Sequence, residues 1–297
     1  TYDQARNVVA FADLAEHANI SNTAVVSPSG ALSIPYNNTN TLYNTLNQQF
    51  SGARDISTVN QALGGTFVNG TEYEEVESAR LLDASEYTVN TKLGYISLKT
   101  QLQADEVLAV AYNYTYSDGK TYQVGEFSTD NPSSAASCLY VKLLKGITMS
   151  PDMPFWDLMM KNIYSLGAYS VQKEKFKLNI MYQSDTTGTY DSYDSNNQPH
   201  PDGIYDFIEG VTVLADNGKI IFPSGEPFGS YLRKKINNDA IADKYVFQEL
   251  YDSTLTVARQ IAEKNKFKLE GEYKASSGAE IQLGASNVAR GSVKVTA

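Results

Sequence analysis

The residues best suited to bind a metal lie in one polar loop, DSYDSNNQPHPDGIYD, at residues 191–206. Carboxylate and amide oxygens beside an Asp-Gly turn are the ligands that Ca²⁺ prefers in proteins. Their spacing departs from the EF-hand pattern, which favours a solvated turn over a calcium site in this loop. The candidate calcium ligands are Asp191, Asp194, Asn196, Asp202 and Asp206.

A histidine-dependent catalytic site would have to use His17 or His200, because the chain has only these two histidines. The sequence contains no Gly-x-Ser-x-Gly elbow, no His-Glu-x-x-His and no P-loop. A hydrolase with paired carboxylates stays open, since 34 Asp and Glu residues offer many pairs. The residues by themselves single out no catalytic residue and no cofactor site.

Charge and cysteine content exclude several other classes of protein. A single cysteine, Cys138, rules out an intramolecular disulfide and a zinc site built from several cysteines. The net charge of −10 argues against nucleic acid and anionic membrane surfaces as partners.

No apolar run approaches the ~18 residues of a membrane helix, and the N-terminus lacks a signal-peptide pattern. Because the chain starts at Thr1 and ends in the strand-like GSVKVTA, we expect it to be a piece of a longer protein.

Most of the secondary-structure elements that the sequence predicts are strands, and these would position any functional residues. Alternating apolar and polar residues predict strands in EKFKLNIMYQ, KFKLEGEY and EIQLGAS. Asp118-Gly119 and Asn217-Gly218 separate pairs of such runs, which is typical of β-hairpins. The 21 tyrosines favour half-buried sheet surfaces, and an exposed contact surface is the alternative.

Helices are predicted at five places between these strands. A short helix follows the Asn-rich loop near residue 41, and a second ends at Gly64-Gly65. A third is predicted in TEYEEVESARLL with Thr71 as N-cap, from an apolar residue about every three positions. A fourth spans about 152–166, with Ser150 as N-cap and Pro151 in its first turn. The fifth covers 240–262, with a break near Asp252-Ser253.

The sequence therefore predicts an α+β fold, β-rich, with antiparallel sheets and hairpins and several interspersed helices. Composition divides the chain into a mixed loop and helix segment at 1–85 and a β-rich domain at 86–297.

The order of several long phrases carries a family resemblance. These phrases include, in order, ARLLDASEYTVNTKLGYISL, DEVLAVAYNYTY, YQVGEFSTD, PDGIYDFIEGVTV, GKIIFPSGEPFGSYLRKKI and IADKYVFQELYDST. Through them the chain resembles the SprA/Sov family, the outer-membrane translocon of the type IX secretion system, well over residues 70–297 and more loosely over residues 5–60. One departure is a shorter insert between QSDTTG and PDG than the family usually has.

The resemblance implies a non-catalytic role in the export of folded cargo proteins and in gliding motility. The implied partners are the parent translocon barrel, a lateral-gate partner, a periplasmic plug and secreted cargo. We expect this chain to be a soluble part of the translocon at the outer membrane, serving as a cap, gate or docking surface. We place it on the extracellular side in preference to the periplasmic side. The alternative is a stand-alone cell-surface binding module, an adhesin or glycan binder.

Overall fold

The computed structural model describes residues 5–29, 32–130, 136–191, 205–275 and 280–283. The chain divides into two compact units, unit 1 at Thr1–Met159 and unit 2 at Met160–Ala297. The fold is α+β and β-rich, with several antiparallel sheets and interspersed helices, as the sequence predicts. The boundary that composition places at 85/86 falls inside unit 1.

Unit 1 combines strands with short helices. Its strands are β1 (Arg6–Phe11), β2 (Tyr73–Ala79), β3 (Tyr87–Asn90), β4 (Tyr95–Leu98), β5 (Leu108–Val110), β6 (Tyr112–Thr115), β7 (Thr121–Val124) and β8 (Cys138–Lys145). Its helices are α1 (Leu42–Gln49) and α2 (Val59–Leu63), with 3₁₀ turns at Ser51–Arg54 and Trp156–Leu158. Both helices and the β6–β7 hairpin agree with the sequence prediction.

Strand β1 lies in the middle of a four-stranded sheet with the order β2-β1-β8-β5. It runs antiparallel to β2 and parallel to β8. Both of its faces are covered: Phe11 packs in one apolar cluster with Leu46 and Tyr73, and Ala10 packs in another with Leu143. A strand covered on both faces is apolar at consecutive positions, which explains the continuous run at 8–12.

The helix predicted in TEYEEVESARLL is wrong, because this segment forms β2. Tyr73 and Val76 are three positions apart and so point to opposite faces of the strand. The pairing with β1 then shifts register at a bulge, where Ser78 adopts a φ of 51°. Apolar residues at three-residue spacing therefore arise here without a helical turn.

The helix predicted near 152–166 is also wrong. The described segment contains only the 3₁₀ turn Trp156–Leu158, and it is followed by the strand β9 (Ile163–Ser165). Pro154 disfavours the helical conformation of the preceding Met153. The capping pattern at Ser150-Pro151 thus begins a series of turns and not a helix.

Unit 2 contains a four-stranded sheet, a three-stranded sheet and four short helices among its described residues. The sheets have the orders β11-β10-β14-β15 and β12-β13-β9. The remaining strands are β10 (Val171–Gln183), β11 (Tyr190–Asp191), β12 (Val213–Leu214), β13 (Lys219–Ile221), β14 (Phe267–Ala275) and β15 (Glu280–Leu283). The helices are α3 (Ser230–Ile236), α4 (Asp239–Tyr245), α5 (Glu249–Asp252) and α6 (Leu255–Gln260), and a 3₁₀ turn covers Ala262–Lys264.

The helical segment predicted at 240–262 is present but broken into these short pieces. One break falls at Asp252 and Ser253, as predicted, because Ser253 is extended and Thr254 caps α6 through the Val257 N–H. The hydroxyl of the buried Tyr251 accepts the Phe228 N–H at 3.0 Å. The segment therefore contributes core packing to unit 2. The strand predicted in GSVKVTA lies outside the described residues.

Candidate functional site

The candidate calcium ligands fall mostly outside the described residues. Asp194, Asn196 and Asp202 are among the undescribed positions, and Asp191 ends β11. Asp206 is exposed, and its carbonyl accepts a hydrogen bond from the Thr212 hydroxyl. In the part of the chain that the structure describes, no group of three His, Cys, Asp or Glu side chains could hold a metal ion. The calcium site therefore stays a prediction.

The nucleophile and base candidates are placed as follows. His17 is half-buried in the segment after β1, and His200 lies outside the described residues. Cys138 is buried, and burial raises the pKa of its thiol to about 11. A thiol with so high a pKa stays protonated at neutral pH and is a poor nucleophile.

A cluster of charged and phenolic side chains borders an open cavity of about 380 Å³ in unit 1. Arg54 binds Glu126 through two hydrogen bonds of 2.6 Å each. The same carboxylate accepts the Tyr43 hydroxyl at 2.7 Å and the Tyr140 N–H at 2.9 Å. The Arg54 guanidinium also lies 3.6 Å above the centroid of the Tyr140 ring.

These contacts engage both oxygens of Glu126, whose side chain is only 4% exposed. Burial lowers the pKa of Arg54, but the hydrogen bonds to Glu126 and the attraction of its negative charge together outweigh that effect, so the pKa lies above its ordinary value. Four hydrogen-bond donors of the protein thus occupy this carboxylate. The cluster therefore ties the 3₁₀ turn at Ser51–Arg54 to β8, and we interpret it as structural.

A second buried charge lies beside the turn that follows β1. The Lys142 ammonium donates to Glu16 at 2.6 Å and to the Ala12 carbonyl. Asn40 donates to the backbone carbonyls of Asp13 and Glu16 at 2.8 and 2.7 Å. These bonds satisfy the lysine and close the turn, so this group too serves the fold.

Unlike these internal contacts, a set of tyrosine rings on the β6–β7 hairpin is partly exposed. Tyr112, Tyr114 and Tyr116 alternate along β6 and the residue after it, so they share one face of the hairpin. Tyr122 of β7 is the register partner of Tyr114. Tyr36 packs edge-on against Tyr122, with ring centroids 5.3 Å apart. We call these five residues the tyrosine face.

Neighbouring rings of the tyrosine face lie 5.3–6.3 Å apart. Tyr112 is 36% exposed and Tyr116 is 41% exposed. Tyr112 and Tyr116 thus present accessible ring surface, while Tyr36, Tyr114 and Tyr122 support them from partly buried positions.

The hairpin is held to the loop at residues 32–40 by specific hydrogen bonds. The Asn37 side chain accepts the Gly125 N–H at 2.7 Å and donates to the Gly125 carbonyl at 3.1 Å. The Tyr114 hydroxyl donates to the Pro35 carbonyl at 2.7 Å. Because these bonds fix the hairpin before any partner arrives, the tyrosine face is preorganised for binding.

The sequence carries part of the signal for this surface. AYNYTY shows tyrosine at alternate positions before the Asp118-Gly119 turn, and the tyrosine content predicts either sheet packing or a contact surface. The contribution of Tyr36 was missed, because it depends on a long-range contact with Tyr122.

Replacing Asp118 by asparagine should lower the pKa of Tyr122. The Tyr122 hydroxyl donates to the Asp118 carboxylate at 2.7 Å, and this bond, followed by burial, raises the pKa of Tyr122 from 10.0 to about 12. A raised pKa means that folding favours the protonated phenol. Its stabilisation is therefore present below pH 10.0 and is lost as the pH rises through about 12.

The measurement is NMR of ¹³Cζ-tyrosine-labelled protein, with the Tyr122 resonance assigned from Tyr122→Phe. At a pH of 10.0, the ordinary pKa of tyrosine, the Tyr122 resonance of the native protein should keep the chemical shift of the protonated phenol. At the same pH, the Tyr122 resonance of Asp118→Asn should already have moved toward the chemical shift of the phenolate. If the two proteins titrate at the same pH, the bond does not control Tyr122.

The comparisons with known proteins identify no family. A scan against protein-family models finds none that matches this chain. A search of the curated proteins finds no significant sequence match. Among the described residues, no helix has the length and apolar character needed to cross a membrane.

Proposed function

We propose that this chain is a non-catalytic docking domain of the type IX secretion outer-membrane translocon. In this role it contributes to the export of folded cargo proteins and to gliding motility. The ordered phrases that resemble the SprA/Sov family support the assignment to the translocon. The single observation that carries the docking role is the preorganised, partly exposed tyrosine face.

Tyrosine is a favourable residue for a docking surface. It offers a large apolar ring with a polar tip, and it is enriched at protein interfaces and among their binding hot spots. By contrast, the charged groups of the Arg54–Glu126 cluster are engaged with one another. This cluster thus keeps its polar contacts internal, whereas the tyrosine face presents aromatic surface.

The partners we propose are those that the resemblance implies. They are the parent translocon barrel, the lateral-gate partner, the periplasmic plug and secreted cargo. We place the domain at the outer membrane on its extracellular side, where a docking surface would meet cargo or surface components leaving the barrel.

Site-directed cross-linking tests this function in cells. Tyr116→Cys is introduced into the full-length parent and treated with a membrane-impermeant maleimide carrying a photoreactive benzophenone. Leu93→Cys, at a position that is 70% exposed in the β3–β4 turn, is the matched control. We expect labelling of unbroken cells, and cross-links from position 116 to a translocon component or cargo that position 93 does not give.

Two outcomes would contradict the proposal separately. Cross-links that are the same from positions 116 and 93, or absent from both, would remove the docking role of the tyrosine face. Labelling only after permeabilisation would move the domain to the periplasmic side. The parent without an introduced cysteine controls for its native thiols.

A second candidate function is a stand-alone module that binds glycans at the cell surface. The observation that favours it is the same row of tyrosine rings, because sugar rings stack well on aromatic faces. It predicts that the isolated chain binds oligosaccharides without any translocon component.

A further inference from the structure

We propose that the tyrosine face binds an extended, basic segment of a partner protein, whose arginine or lysine side chains stack on the exposed rings. This inference rests on the proposed docking function and adds the chemistry of the partner. Three observations support it: the distribution of charge along the chain, the lack of a stacked cation at these rings among the described residues, and the spacing of the rings.

Nearly all of the net negative charge of the chain belongs to unit 1. Its sequence carries 17 Asp and Glu residues against 8 Lys and Arg, whereas unit 2 carries 17 against 16. Unit 1 therefore bears −9 of the net charge of −10. A charge imbalance of this kind attracts cationic partners and selects against anionic ones.

Elsewhere in the chain, tyrosine rings are already covered by cations. Arg54 lies over Tyr140 at 3.6 Å, Lys235 over Tyr231 at 5.5 Å and Lys268 over Tyr190 at 5.6 Å. Among the described residues, no Lys or Arg side chain lies over a ring of the tyrosine face. These rings thus remain available to a cation from another molecule.

An acidic group lies at the tip of the same hairpin. The Asp118 carboxylate accepts the Tyr122 hydroxyl through one oxygen and the Lys120 N–H through the other, at 2.7 and 2.9 Å. Each carboxylate oxygen can accept more than one hydrogen bond, so Asp118 can still pair with a guanidinium or ammonium group.

The spacing of the rings fits an extended chain. The ring centroids of Tyr112 and Tyr114 lie 6.0 Å apart along β6. In an extended peptide, side chains on one face recur about every 6.7 Å, which is twice the rise per residue. A strand-like segment with a basic residue at every second position can therefore place successive cations over successive rings.

Calorimetric titration of the purified chain tests this inference. The probe is a twelve-residue peptide with arginine at alternate positions and serine or threonine between them. The reference is the same peptide with each arginine replaced by citrulline, which keeps the shape and removes the charge. We expect the arginine peptide to bind at least roughly tenfold more tightly than the citrulline peptide, because the neutral citrulline side chains cannot form the cation–π contacts.

Matched variants locate the binding to the tyrosine face. The double substitution Tyr112→Leu with Tyr116→Leu should weaken binding of the arginine peptide by roughly tenfold, since two cation–π contacts are lost. Tyr112→Phe with Tyr116→Phe keeps both rings and should retain most of the affinity. Tyr169→Leu removes a tyrosine that is 67% exposed in unit 2 and should leave binding unchanged.

Equal binding of the arginine and citrulline peptides would overturn the inference, as would equal binding by the leucine and phenylalanine variants. Binding of a neutral oligosaccharide in place of the arginine peptide would assign the surface to glycans and also overturn it. The titration contains no translocon component. Its failure therefore leaves the cross-linking result in cells unaffected, so failure of this inference can be distinguished from failure of the proposed function.

Discussion

Replacing Glu126 by glutamine should lower the free energy of unfolding of unit 1 by about 3–5 kcal/mol, as expected when one partner of a buried ion pair is removed. The native carboxylate accepts two bonds from Arg54, one from Tyr43 and one from the Tyr140 backbone. A glutamine side chain offers one acceptor oxygen and adds donors where acceptors are needed. The Arg54 charge, which is only 25% exposed, then loses its counter-charge.

The measurement is urea-induced unfolding followed by circular dichroism, with Glu86→Gln as the matched control. Glu86 forms an ion pair with Arg80 at the same 2.6 Å distance, but these side chains are 38% and 65% exposed. Water screens such a pair, so its removal should leave the free energy of unfolding almost unchanged. Equal losses from both substitutions would show that burial does not determine the strength of the Arg54–Glu126 pair.

Local signals predicted the hairpins and the short helices well. The turn at Asp118-Gly119 and the turn at Asn217-Gly218 are encoded by adjacent residues, and each connects the strands that the sequence indicates. Helix α2 ends at Gly64, as its sequence predicts. Features of this kind depend on a few neighbouring residues and so are visible in one sequence.

The errors occurred where tertiary contacts override local pattern. The apolar run containing Val9 and Phe11 lacks the alternation typical of a strand, yet it forms an inner strand of a four-stranded sheet. Its parallel neighbour β8 begins at Cys138, far away in the chain. No local pattern reveals such a pairing, and the bulge at Ser78 then disguised β2 as a helix.

The candidate site was predictable only in its local part. The alternation of Tyr112, Tyr114 and Tyr116 can be read from the sequence. The support from Tyr36 and Asn37 cannot, because their partners Tyr122 and Gly125 lie more than 80 positions away. A docking surface built by such contacts requires the fold before it can be recognised.

Replacing Gly218 by alanine should lower the free energy of unfolding of unit 2 by about 2–5 kcal/mol. Gly218 occupies the turn between β12 and β13 with a φ of 54°, which by itself costs an alanine about 1–2 kcal/mol. An added Cβ would also lie 1.7 Å from the carbonyl oxygen of Ala168. That atom belongs to backbone, so the chain itself must shift, at a cost of about 1–3 kcal/mol.

Gly210→Ala separates the two effects, because Gly210 also lies in unit 2 and has a φ of 73° with no atom within 4 Å of an added Cβ. This control should show only the conformational cost, about 1–2 kcal/mol, in the same urea unfolding experiment. The excess loss in Gly218→Ala then measures the close approach to Ala168. The Gly218 carbonyl also accepts the Leu166 N–H at 2.8 Å, so displacement of the turn weakens its link to the chain following β9. If both alanine variants lose the same stability, the approach of Gly218 to Ala168 relaxes without cost, and the turn does not constrain the position of β9.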